Sequence, residues 1–103
     1  MKVYALDKLV KFSPQGHQKR VFFESAKIKA QVMKLEAGQQ IPPCRMDHDV
    51  MFVVLEGKGK IIVDGEEEAI KKTSWIFVHK EKETRSLKAE TKMVVLALIL
   101  KRS

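Results

Sequence analysis

The chain has 103 residues and a mass of 11.8 kDa, enough for one domain that buries about two thirds of the surface its unfolded form exposes. With 45% hydrophobic and 32% charged residues, 3 Pro and 5 Gly, it is neither a disordered tail nor a collagen-like chain. No apolar stretch approaches the roughly 20 residues of a membrane span, and Met1 to Leu6 lacks the apolar run of a signal peptide, so a cytoplasmic, membrane-free protein is expected.

Read in chain order, residues 1–6 alternate apolar with other residues, and Asp7 stands before Lys8 to Phe12 as the cap of a single helical turn. Ser13, Pro14, Gln15 and Gly16 end that turn. The text then changes to short apolar or alternating runs separated by turn residues, which predicts eight strands: 20–24, 28–35, 50–55, 60–63, 68–70, 75–79, 84–89 and 93–100. Gly38 closes one run, Gly57 and Gly59 another, and Asp64-Gly65 is the pair of a two-residue hairpin. Glu66 to Glu68 follow that hairpin as a solvated edge that discourages sheet-to-sheet pairing. Residues 51–55 and 93–100 are apolar at every position, so both faces of those strands require cover. A closed sheet covers the inner face, and a second copy of the chain covers the outer one, which predicts a homodimer.

The charge balance is 20 Lys and Arg against 13 Asp and Glu, a net +7. Basic residues are spaced along the chain and mixed with acids, as in Lys80-Glu81-Lys82-Glu83, and only seven aromatics are present, mostly inside apolar runs. That pattern is a solvated surface rather than a nucleic-acid interface. The chain contains no asparagine and is rich in Lys and Glu, a bias of proteins from hot environments. Cys44 is the single cysteine, which excludes an internal disulfide and every zinc site of the CxxC kind.

The order of signals from about residue 28 to 100, Leu35-Glu36-Ala37-Gly38-Gln39-Gln40-Ile41-Pro42-Pro43, a polar bend, then Met51 to Lys60 and Asp64-Gly65-Glu66, resembles a small single-domain cupin. The resemblance implies an all-β jelly-roll barrel over residues 1–103, with its core at about 20–100 and the helical turn before it. In that family the first motif reads GxxxxxHxHxxxExxxxxxG. Gly38 and Gly57 take its two glycines, and Val54-Leu55-Glu56-Gly57 is typical of these proteins. Cys44 and Met46 stand where the two histidine ligands belong, and Val50 where the glutamate belongs. In the second motif Ser74 to Val78 fits the strand, His79 and Lys80 replace two prolines, and Thr84 falls near the last histidine. The family's metal chemistry is thus carried over at none of its four positions. Valine donates nothing, a thioether binds soft ions, and threonine is a poor ligand for the divalent metals such barrels hold.

Cys44, Met46 and His48 together have the ligand types that copper prefers. On one straight strand residues 44 and 48 would lie about 13 Å apart at a rise of roughly 3.3 Å, so a shared ion requires a sharp bend at Asp47 to Asp49. The alternative is that Cys44 and Met46 fill the barrel interior as adaptable apolar sulfur, and the residues favour that reading. His17 is expected to be exposed, and Trp75 to serve the core or a subunit contact. His79, at the end of its strand, is placed near the barrel mouth.

The expectation is a barrel without the family's metal or any other cofactor, binding a small molecule or serving a regulatory or structural role. Its cavity would be lined at Cys44, Met46, Val50, Phe52, Thr84 and His79 and would take an apolar or weakly polar guest, with a preference for anions from the net charge. The rival expectation is a metal-dependent enzyme of the dioxygenase or isomerase kind on a rearranged site of Cys44, His48 and His79.

Overall fold

The computed structural model describes residues 1–101. Nine antiparallel strands follow a single 3₁₀ turn at Leu6–Lys8. They are β1 Gln18–Glu24, β2 Ile28–Leu35, β3 Gln40–Cys44, β4 Asp49–Glu56, β5 Lys58–Val63, β6 Glu66–Lys71, β7 Trp75–Val78, β8 Arg85–Ala89 and β9 Met93–Leu100. Each of the eight predicted strands has its counterpart within a few residues. They form a five-stranded sheet in the order β1-β2-β9-β4-β7 and a four-stranded sheet in the order β3-β8-β5-β6. The non-consecutive neighbours are those of a jelly roll, in which Greek-key connections carry the chain between two facing sheets.

The ninth strand, β3, is absent from the prediction because Pro42 and Pro43 fall in its middle. Proline donates no ladder hydrogen bond and is excluded from central strands, but β3 sits at a sheet edge and pairs only with β8. Its ladder breaks between Ile41 and Cys44, where the two prolines lie. The helical turn also differs from expectation. Ala5 occupies the N-cap with no side-chain cap, and Asp7 lies inside the turn rather than ahead of it.

Two turns follow directly from their residues. Asp64 and Gly65 have φ of 48° and 83°, the paired positive values of a type I′ hairpin, and Val63 faces Glu66 across it. Gly57 has φ of 84°, and a Cβ there would stand 1.9 Å from the carbonyl oxygen of Lys92, so the β4–β5 corner closes only with glycine. β6 forms the other edge of the four-stranded sheet, with Glu66, Glu67 and Glu68 exposed as the sequence predicts.

The core lies between the sheets, where alternate residues meet: Val50, Phe52 and Val54 of β4, Met93, Val95, Ala97 and Ile99 of β9, and Ile61, Ile70, Leu87 and Ala89 opposite. The outer face of the five-stranded sheet is covered in part by the chain itself. Lys34, on that face of β2, donates from Nζ to the carbonyl of Asp7, and Arg20 Nη1 donates to the carbonyl of Leu9 at 3.3 Å. The Phe12 ring carries Lys34 and Lys92 over it, each 5.1 Å from the centroid, and Tyr4 packs on Phe22. Val32 and Val94 are consequently buried without a second subunit. Towards β7 the cover ends, and Met51, Val53, Leu96 and Leu98 are half-buried beside exposed Trp75 and Phe77.

Candidate functional site

Between the two sheets lies a cavity of about 260 Å³. Its floor is apolar, formed by Val50, Phe52 and Met33 from one sheet and Ile61 and Leu87 from the other, closed by Ala97 and Ile99 of β9. Its mouth is polar and basic, formed by His17, Lys19, Lys29, Cys44 and Arg45. Buried Gln31 and Arg85 and the hydroxyl-bearing Ser86 complete the wall.

Four of the six residues expected to line a cavity do so: Cys44, Met46, Val50 and Phe52. His79 and Thr84 do not. On β7 the inward positions are Ile76 and Val78, so His79, one step further, turns outward with Trp75 and Phe77. Its ring stands 6.5 Å from that of Phe77, and its Nε2 is 4.0 Å from Asp49. The Thr84 side chain is exposed, and its amide donates to Asp64 Oδ1 at 2.8 Å beside the hairpin. Cys44 is exposed at the mouth, so it does not fill the interior as expected, whereas Met46 packs against the core. His17, expected in solvent, is half-buried at the mouth.

The residue that sequence reasoning missed is Arg85. It opens β8 directly opposite Cys44 of β3, and its side chain is 3% exposed. Nη1 donates to the carbonyl of His48 at a long 3.4 Å, while Nε and Nη2 are buried without a partner. Among the described residues no carboxylate reaches it within salt-bridge distance. Burial holds its pKa below the usual guanidinium value, against the opposing pull of Cys44, Asp49 and Asp64. Arginine nevertheless remains a cation under all ordinary conditions. Strand parity would have found it: Arg85, Leu87 and Ala89 alternate on one face of β8, and the apolar pair identifies that face as the inner one.

No protein-family model matches the chain. One curated relative, an uncharacterized protein of Aquifex aeolicus, is 37% identical over 41 residues, a stretch covering 40% of this chain and 34% of that protein. The match thus spans about a third of the relative's length. Among solved structures, an RmlC-like cupin from Desulfovibrio desulfuricans superposes with a TM-score of 0.88 at 25% identity, covering 97% of this chain and 96% of that one. This is the cupin fold. A Thermus thermophilus protein superposes equally well, TM-score 0.88 at 20% identity over the full length of both chains. The salicylate 1,2-dioxygenase of Pseudoaminobacter salicylatoxidans gives 0.77 at 21% identity, with 82% of this chain covering 25% of that enzyme.

Cupins commonly hold a divalent metal, and the ligand positions of this barrel do not fit one. Cys44, Met46 and Val50 line the cavity where the resemblance places the first three ligands. The fourth position, assigned to Thr84, faces out, and the inward residue beside it is Arg85. The wall therefore presents one thiol, one thioether, a valine and a guanidinium that only donates hydrogen bonds. Among the described residues no three His, Cys, Asp or Glu side chains converge to hold an ion. The chain does bend at Asp47 and His48, as a copper site would need, but His48 is outside the cavity lining. No helix is long and apolar enough to cross a membrane.

Proposed function

We propose that this cupin barrel is a binding module that takes a small organic molecule between its sheets, in a regulatory role rather than as a metalloenzyme. The observation that carries the reading is the cavity itself. A purely structural core packs at near-crystalline density with voids scarcely larger than a water molecule, whereas here about 260 Å³ is open and reached through a polar mouth. An apolar cavity of roughly 150 Å³ takes benzene, and drug-sized ligands occupy pockets of about 300 Å³ or more. The guest is therefore a single ring or a short branched chain.

The test is titration of the isotope-labelled protein with single-ring compounds, following the backbone amides of Gln31, Phe52 and Leu87. Saturable shifts at those positions, lost in Ala97→Leu, which adds three carbons to the floor, support the reading. Shifts that survive Ala97→Leu in a folded variant, or none with any compound, overturn it.

We also propose that the barrel works as a homodimer joined through the open part of its five-stranded sheet. Two apolar rows run across three strands there, Trp75-Val53-Leu96 and Phe77-Met51-Leu98. Trp75 and Phe77 are 60% and 45% exposed in the single chain, and their rings stack at 6.4 Å. Water contact over such a patch is unfavourable, and a two-fold copy covers both patches at once. Light scattering at micromolar concentration is expected to give about twice 11.8 kDa, and a monomer refutes the proposal.

A further inference from the structure

We infer that the guest of this cavity is a small organic monoacid, its carboxylate held by Arg85 and its apolar body lying along the floor. The inference rests on the binding role proposed above and adds the chemical class.

Arg85 carries it. Its two unpaired donors, Nε and Nη2, form one edge of the planar guanidinium, while the third nitrogen is turned to His48. That edge presents two parallel N–H groups at the spacing of the two oxygens of a carboxylate. An unpartnered cation at 3% exposure is costly to keep in a barrel, and an arriving anion removes the cost. The protein's own acids attract the guanidinium without pairing with it: Asp49 and Asp64 pull on it from beyond salt-bridge distance, and their Oδ1 atoms accept instead from the amides of Lys80 at 2.7 Å and Thr84 at 2.8 Å.

The rest of the cavity agrees in sign. Lys19, Lys29 and Arg45 stand at the mouth, and no aspartate or glutamate lines the space, although the chain carries 13. Such a mouth draws anions inward. A monoacid fits better than a phosphate ester because the buried donor set is small. The nearby Ser86 hydroxyl already donates to the Ile41 carbonyl at 2.7 Å, which leaves one guanidinium edge for a whole anion.

The test uses benzoate and nitrobenzene, which share ring and shape but differ in charge, titrated by amide shifts. Protection of Cys44 from alkylation by a neutral maleimide gives a second readout, since this lone thiol is exposed at the mouth. Wild type is expected to bind benzoate at least about tenfold more tightly than nitrobenzene, as a charge-assisted pair predicts. Arg85→Met should lose about tenfold or more for benzoate and stay within about threefold for nitrobenzene, with Arg85→Lys, which keeps the charge but not the fork, in between. The wild-type preference should also survive 0.5 M NaCl, roughly where exposed charges are screened and buried ones are not. This arm stands even if the Met variant fails to fold. Equal binding of both probes, or a benzoate preference that persists in Arg85→Met or vanishes in salt, overturns the anion assignment and leaves the binding role intact. Binding of neither probe overturns both.

Discussion

Replacing Arg85 by methionine should make the ligand-free protein more stable, the reverse of most substitutions at a buried position. Arg85 is 3% exposed, and two of its nitrogens are unpaired. An unsatisfied buried polar group costs about 1–3 kcal/mol, and more when charged. Methionine fills a similar length of stem with apolar atoms and removes that cost. The variant forfeits the Nη1 bond to the His48 carbonyl, which at 3.4 Å lies at the weak end of the roughly 0.5–1.5 kcal/mol range. The balance is a gain of about 1–2 kcal/mol, or a rise of roughly 4–16 °C in Tm for a domain of this size. The assay is urea unfolding and calorimetry in Tris chloride, free of organic acids. Added benzoate should then stabilise wild type by mass action, and the variant should need about tenfold more of it for the same effect. A folded Arg85→Met variant less stable than wild type in that buffer would refute the reasoning, because it would mean that the guanidinium is already satisfied.

Other substitutions test other parts of the account. Gly57→Ala should destabilise by more than about 2 kcal/mol, because the new Cβ meets the Lys92 carbonyl oxygen at 1.9 Å and the backbone is held at positive φ; a urea midpoint within error of wild type would contradict this. Trp75→Glu should convert the proposed dimer to a folded monomer by sedimentation, and an unchanged mass would exclude that face. The Glu24 carboxyl is held below its ordinary pKa of 4.5, first by the hydrogen bond from Lys101 and then by the charges of Lys101 and Lys29. A lowered carboxyl pKa contributes stability above the unfolded value and loses it as pH falls through the folded value. The Glu24→Gln variant should therefore fall short of wild type in stability at neutral pH, by a small margin because the group is exposed, and approach it only as pH falls below 4.5 through the lowered folded-state value.

Most of the scaffold was legible because its signals are local. The Asp64-Gly65 pair specifies its hairpin through two positive φ values, and Gly57 is required by a contact that no side chain tolerates. β3 was not legible, because the rule excluding proline from strands holds for central strands and this one lies at an edge. The site was half legible. Cys44, Met46 and Val50 follow from the motif spacing, Phe52 lies two residues further along the same strand face, and all four share the cavity. Arg85 was hidden by a register offset of one residue, which in a strand exchanges the inner face for the outer. Thr84 and His79 were misplaced for that reason, and on β7 the outward Trp75 and Phe77 are as apolar as the inward Ile76 and Val78, so hydropathy did not distinguish the faces.

Elemental analysis of the purified, dialysed protein tests the central claim most directly. A barrel whose inward positions hold a thiol, a thioether, a valine and an arginine should retain no stoichiometric iron, manganese, nickel, copper or zinc. One equivalent of any of these per chain, retained through dialysis and lost on substitution of Cys44 or His48, would contradict it.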